Sequence, residues 1–155
     1  MTRRGDPSEP TLRAPDPGVG VGLFVSGLIE SRQVDHLMGL VVDCCGRGGD
    51  RPNGIIVKPS AGDHRWAPAD LDRIVGEVAP RLRDGHRVLV HCRSGRSRST
   101  TAAAAVLLDM GLAGTPDEAV RMVALGTGRP PDRRCTSSLR EWWSARRQGS
   151  LFPTA

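Results

Sequence analysis

A short apolar run, Val88-Leu89-Val90, leads through His91 into Cys92, then a turn of mostly small residues, and reaches Arg98 six positions after the cysteine. From there the chain turns Ser/Thr/Ala-rich, Ser99 to Ala105, and runs on into Val106-Leu107-Leu108. A continuously apolar strand feeding through a tight loop into an apolar helix is half of a strand–helix repeat. Its natural setting is a sheet with helices on its faces.

The rest of the chain repeats that alternation. Gly22-Leu23-Phe24-Val25 reads as a strand and Ser31 to Met38 as a short helix capped by Ser31. Leu40-Val41-Val42 and Ile55-Ile56-Val57 read as strands, and Pro68 to Arg83 as a helix with Pro80 kinking it or marking its last turn. Arg98 to Met110 forms the helix behind the loop, Thr115-Pro116-Asp117-Glu118 opens another that runs to about Leu125, and Ser137 to Arg147 is the last. The expected fold is α/β, a central and mostly parallel sheet of four to five strands flanked by helices.

The strand–loop–helix junction also concentrates the chemistry. A tetrahedral dianion needs donors from several directions, and a tight loop provides them as backbone N–H groups. Between Cys92 and Arg98 stand Arg93, Ser94, Gly95, Arg96 and Ser97, of which Gly95 can take a conformation that a bulkier residue resists. The helix that follows adds unpaired N–H groups and a dipole that favour negative charge. Arg98 offers a planar fork for two oxygens at once, which a lysine does not copy.

The same field acts on Cys92. A thiol pKa of about 8.5 falls to roughly 3.5–7.5 at a helix N-terminus or beside cations. Cys92 is then a thiolate at the floor of an anion site, placed to attack a phosphate ester. Ser99 is positioned to hydrogen-bond the sulfur and ease its departure from phosphorus. His91 is better placed to organise the loop than to act as an acid. A lone cysteine–arginine pair at this spacing would read as a buried strand-end thiol beside a solvated turn. The preceding strand, histidine, central glycine and trailing serine tip the reading to catalysis.

His91, Cys92, Gly95, Arg98 and Ser99 fit the His-Cys-x2-Gly-x2-Arg-Ser/Thr signature, and here the chain resembles the cysteine-dependent protein tyrosine phosphatase superfamily. The likeness covers about residues 20–147, and the total length resembles a compact dual-specificity phosphatase domain. It implies a phosphocysteine intermediate, no cofactor and no metal, and a phosphorylated protein or other phosphate monoester as partner. It also implies a general acid, an aspartate on a strand-to-helix loop upstream. In the segment Lys58 to Ala67 the only carboxylate is Asp63, which becomes the candidate. Asp70 and Asp72 compete, but both follow Pro68 in a first helical turn, where acidic residues complement the dipole without catalytic duty. Trp66 either walls the substrate cleft or packs against the sheet.

The substrate question turns on Arg93 and Arg96. Basic residues at both places resemble the loop of phosphoinositide phosphatases, whereas an arginine at the first alone is ordinary in dual-specificity protein phosphatases. Cys92-Arg93-Ser94-Gly95 also looks like the start of a rhodanese sulfurtransferase loop, but that loop would put its arginine at position 97, which is serine. A phosphate-binding pseudophosphatase normally lacks the nucleophile or the arginine, and Cys92 and Arg98 are both present. Cys44 and Cys45 follow a strand whose end should lie near the loop. Some members of the superfamily carry a resolving thiol there that captures the oxidised nucleophile, with Cys45 slightly ahead of Cys44 for that role. Structurally, a strand-end cysteine is more often a small buried hydrophobe.

Composition bounds the remainder. The chain of 155 residues makes one domain, expected over 19–149, with a Pro-rich flexible leader over 1–18 and a tail over 150–155. No apolar run is long enough to span a membrane, no signal-peptide segment is visible, and the four cysteines have no paired spacing. A reduced, cytoplasmic setting is expected. The net charge of +5 is carried by arginine, with Lys58 the single lysine, and reads mostly as compositional bias. Aromatic content of 3% with no tyrosine speaks against single-stranded nucleic acid as a partner. Of Trp142 and Trp143, one should be core and the other partly exposed. The sequence leaves the oligomeric state open.

Overall fold

In the computed structural model, which describes residues 22–95, 97–127 and 133–151, the apolar runs pair into one sheet. β1 (Leu23–Ser26), β2 (Leu40–Asp43), β3 (Gly54–Ile56) and β4 (Val88–His91) lie in the order β1-β4-β2-β3, and every pairing is parallel. The expected α/β sheet is present, with four strands among the described residues. The leader expected over 1–18 and Arg96 lie outside them.

Side chains alternate between two cores, as the pleat requires. Leu40 and Val42 of β2 and Val88 and Val90 of β4 join the larger core, while Val41 and Leu89 join a smaller one with Val34 and Met38. The larger core lies under α2 (Pro68–Arg83), α3 (Arg98–Asp109), α4 (Pro116–Thr127) and α5 (Arg133–Leu151), and the smaller one under α1 (Leu28–Val34). Helix α3 is buried on all sides from Ser99 to Leu108, because it runs between the sheet and three other helices. Its run Ala102–Ala105 supplies side chains short enough for that close approach. Helix α2 instead buries one stripe, Leu71, Ile74, Val75, Val78, Ala79 and Leu82, at helical spacing.

Several boundaries differ from the sequence expectation. Helix α1 starts at Leu28, so Ser31 is not its cap but a buried residue within it. The helix begins as soon as β1 ends because Leu28 N–H donates to Arg93 O (3.0 Å), and the Ser31 hydroxyl turns inward to Leu28 O (2.6 Å). Asp35–Leu37 then forms a 3₁₀ turn rather than continuing the helix. Helix α5 starts at Arg133, a turn before Ser137, and runs to Leu151. Pro80 sits inside α2, in its last turn.

Trp66 is buried and packs in the larger core, so it is not a wall of the cleft. Trp142 is the core member of its pair and Trp143 is partly buried. The Trp142 indole donates to Asp72 (2.8 Å), and Arg146 stacks on its ring, 4.7 Å from the centroid. Among the described residues no helix is long and apolar enough to cross a membrane.

Candidate active site

Parallel strands end together, so β2, β3 and β4 discharge their loops at one edge of the sheet. Cys92 is the first residue beyond β4, and its backbone N–H still reaches Ser26 O (3.4 Å) at the end of β1. Gly95 turns the loop back with φ +70°, and a methyl group there would lie 2.7 Å from Gly27 N and 2.8 Å from Ser26 C. The anion loop and the turn between β1 and α1 therefore rest backbone on backbone, and only glycine fits at the contact. Arg98 is the first residue of α3, so the N-terminal end of a twelve-residue helix faces the loop.

The Cys92 thiol is 1% exposed. Gly95 N–H points at its sulfur (3.2 Å) and the Ser99 hydroxyl lies 3.2 Å away. Burial works against a thiolate here, but hydrogen bonds from Ser99 and Gly95 and the charge of Arg98 outweigh it, and the thiol pKa falls below its ordinary value. Ser99 is itself fully buried, so this partner is fixed. Arg93 and Ser94 are exposed at the outer side of the loop, while Ser97 and Arg98 are half-buried.

His91 lies on the opposite face of the sheet, with no exposure at all. Its Nδ1 is 3.3 Å from Cys92 O, and its Nε2 is 2.7 Å from Arg51 Nη1. Burial holds its pKa below the ordinary value, against the pull of the nearby Asp43. Asp43 at the end of β2 accepts N–H groups from Cys45 (2.9 Å), Gly46 (2.8 Å) and Gly48 (2.7 Å). Burial would raise its pKa, yet those donors win and lower it.

Asp63 lies on the exposed loop between β3 and α2. Gly62, Asp63 and His64 are consecutive left-handed residues, at φ +80°, +52° and +60°. For the two non-glycines that conformation stores strain, which persists only where the surroundings impose it. Here Arg65 N–H closes on Gly62 O (2.9 Å) and Ala61 N–H on Arg65 O (3.1 Å). Asp70 holds the base of the loop, accepting from Ser60 N–H (3.0 Å), Ser60 Oγ (2.7 Å) and Ala67 N–H (3.0 Å).

No protein-family model and no curated protein sequence matches the chain. Solved structures do. Human DUSP28 superposes with a TM-score of 0.71 at 22% identity, over 90% of this chain and 97% of that one. PTPMT1 in complex with PI(5)P gives 0.72 at 18% identity, over 88% and 97%. The Yvh1 phosphatase domain from Chaetomium thermophilum gives 0.63 at 24% identity, over 81% and 92%. The chain has the dual-specificity phosphatase fold.

Within that dual-specificity phosphatase fold, Cys92, Gly95 and Ser99 come together directly, and the charge of Arg98 helps lower the thiol pKa. The two competitors of Asp63 are committed elsewhere, Asp70 to the loop base and Asp72 to Trp142 and Arg146. Of the two neighbouring cysteines, Cys44 is in register with Cys92, since Asp43 pairs with His91 one position earlier. Both thiols lie in the larger core, and burial, then the Cys92 charge, pushes the Cys44 pKa well up. Cys45 points to Asp43 instead (Sγ to Oδ1, 3.2 Å).

Asp43, Cys45 and His91 also form a cluster of metal-ligand type, with donor atoms within 4.8 Å of one another. Arg51 already takes the lone pair of His91 Nε2, and backbone N–H groups take the oxygens of Asp43. This donor set is filled by the protein itself. Arg51, Asp43 and Gly27 escaped the sequence reading. Arg51 sits in a glycine-rich loop and Asp43 at a strand end, neither with a motif, while Gly27, directly after a strand, was the signal available.

Proposed function

We propose that this chain hydrolyses phosphate monoesters through a phosphocysteine intermediate, with phosphorylated proteins as its substrates. The observation that carries the reading is the Cys92 sulfur, buried at the N-terminal end of α3, with Gly95 N–H of its own loop donating to it and the Ser99 hydroxyl of α3 within hydrogen-bond distance. Loop N–H groups and the Arg98 fork hold the phosphoryl oxygens as the thiolate attacks phosphorus and the ester oxygen leaves. Asp63 protonates that leaving oxygen. In the second half, water attacks phosphorus with Asp63 as base, the S–P bond breaks, and the Ser99 hydroxyl stabilises the returning thiolate. Neither half calls for a cofactor, and a reducing compartment such as the cytoplasm suits the thiolate.

The second reading is a phosphoinositide phosphatase. The sequence carries basic residues at both Arg93 and Arg96, of which Arg93 is exposed at the loop rim, and one similar structure is that of PTPMT1 in complex with PI(5)P. A panel of phosphotyrosine, phosphothreonine and phosphoserine peptides, phosphoinositides and RNA 5′-triphosphate separates the two. Peptide turnover above lipid turnover supports the first; the reverse replaces it. Thiosulfate:cyanide activity without phosphatase activity would reassign the site to sulfur transfer.

Cys44 is the better placed resolving thiol. Neighbouring parallel strands hold residues in register at a separation that a disulfide spans. Peroxide converts the Cys92 thiolate to a sulfenic acid; the Cys44 thiol attacks that sulfur and water leaves, giving a disulfide. Peroxide inactivation that thiols reverse in the wild type should become irreversible in Cys44→Ser and stay reversible in Cys45→Ser.

A further inference from the structure

We infer that Arg51 is a positioning residue for the nucleophile loop, acting through His91 on the carbonyl of Cys92. The inference rests on reading that loop as a phosphate site and extends it to a segment, between β2 and β3, that carries no motif. A guanidinium has donors only, so at 2.7 Å from Arg51 Nη1 the Nε2 of His91 must accept. An imidazole that accepts at Nε2 carries its proton on Nδ1, and Nδ1 faces Cys92 O at 3.3 Å. Arg51 thus selects one neutral tautomer, and that tautomer holds one carbonyl.

The carbonyl matters because the peptide unit is planar and trans. Fixing Cys92 C=O on the His91 side of the strand points the N–H of Arg93 the other way, toward the concave side where an anion sits. That N–H is the first donor of the loop after the nucleophile. The next carbonyl, Arg93 O, is tied to Leu28 N–H (3.0 Å), so both ends of this first step are held.

The surroundings are built to seat Arg51. Its side chain is 7% exposed, and its other nitrogens donate to Asp35 Oδ2 (3.1 Å) and Ser31 Oγ (2.9 Å). A methyl group on Gly48 would lie 3.0 Å from Arg51 Nη1, and one on Gly54 would lie 2.9 Å from Arg51 Cβ, so glycines clear its path. Asn53 pins the adjoining chain to Asp35 O and Met38 O, both at 2.9 Å. The charged and titratable groups facing His91 are Asp43 from β2 (3.8 Å), Cys45 just beyond β2 (within 4.8 Å), Arg51 from the β2–β3 loop and Asp35 behind Arg51, while Cys92 meets the ring through its backbone carbonyl. An imidazolium would have to present an N–H to the guanidinium.

The test is side-chain nitrogen NMR of the whole chain, with the exposed His36, His64 and His86 as internal controls. In the wild type His91 should be neutral with its proton on Nδ1, and should stay so through the pH range in which a free imidazole protonates. Arg51→Met should lose that tautomer and weaken inhibition by inorganic phosphate about tenfold, the worth of one well-made hydrogen bond. Arg51→Lys, which keeps a cationic donor, should retain the tautomer and most of the phosphate affinity. A wild-type His91 that is protonated on Nε2, or that gains its second proton where a free imidazole does, overturns the inference even if Arg51→Met fails to fold. So does a folded Arg51→Met with unchanged tautomer and phosphate affinity. Wild-type protein that shows the tautomer but hydrolyses no phosphate ester would sink the proposed function and leave this inference standing.

Discussion

Two loops at one edge of the sheet carry the proposed chemistry, and they are held by opposite means. The loop from Cys92 to Arg98 is braced from below by backbone, with Gly95 on Ser26 and Gly27, and Leu28 N–H on Arg93 O. The loop from Lys58 to Arg65 stands largely in solvent, fastened at its base by the Asp70 carboxylate and the buried Trp66 and bent by two left-handed non-glycine residues. The difference suits the tasks proposed for them. A nucleophile must meet phosphorus in one geometry, which rewards preorganisation. A general acid must meet leaving groups of different shapes, which a turn clear of the core can accommodate.

Substitutions break that comparison at different depths. Cys92→Ser should abolish turnover of p-nitrophenyl phosphate while leaving the melting temperature nearly unchanged, since the replacement is no larger. Gly95→Ala should also remove activity, and overpacking against the Ser26–Gly27 backbone should cost about 1–3 kcal/mol by denaturant unfolding. The matching change in the other loop, Gly62→Ala, meets nothing within 4 Å and should cost only the about 1–2 kcal/mol of its left-handed backbone (φ +80°), which Gly95→Ala (φ +70°) carries in addition to its overpacking. Equal losses at the two glycines would show that the bracing contact is not what holds the nucleophile loop.

Asp63→Ala should lower kcat by about 10²–10⁴-fold on a serine phosphate, whose alkoxide leaves poorly, and far less on p-nitrophenyl phosphate. Equal loss on both removes Asp63 as the acid. Ser99→Ala should raise the Cys92 pKa, because a hydrogen bond that lowers it is gone. The pH profile of iodoacetate alkylation then moves to higher pH, and an unmoved profile would mean Arg98 and Gly95 suffice. Smallest should be Asp70→Ala, about 1 kcal/mol in stability and a few-fold in kcat, through a looser base to the loop.

The nucleophile side was readable because its demands are local. A strand, a glycine that must turn, an arginine opening a helix and a serine one residue later are all consecutive, and the chain places them as the pattern suggests. The helix α2 boundaries were readable for the same reason, with Pro68 at one end and a clean apolar stripe through to Leu82. Ser31 misled because a serine ahead of apolar residues looks like a cap, whereas here the tertiary bond from Leu28 to Arg93 starts the helix three residues earlier. Arg51 was invisible for a different reason. One arginine among many in a glycine-rich segment has no periodicity, and its role depends on His91, which lies 40 positions away.

The burial of the Cys92 sulfur has a practical side. At 1% exposure it is reached only by what the loop admits, so the site sieves reagents by size and charge. Small anionic alkylators that mimic the dianion should label it quickly, and bulky neutral maleimides should leave it untouched while they modify accessible thiols. A selective covalent probe for this protein should therefore be built outward from an oxyanion head, with its identifying tag projecting past Arg93.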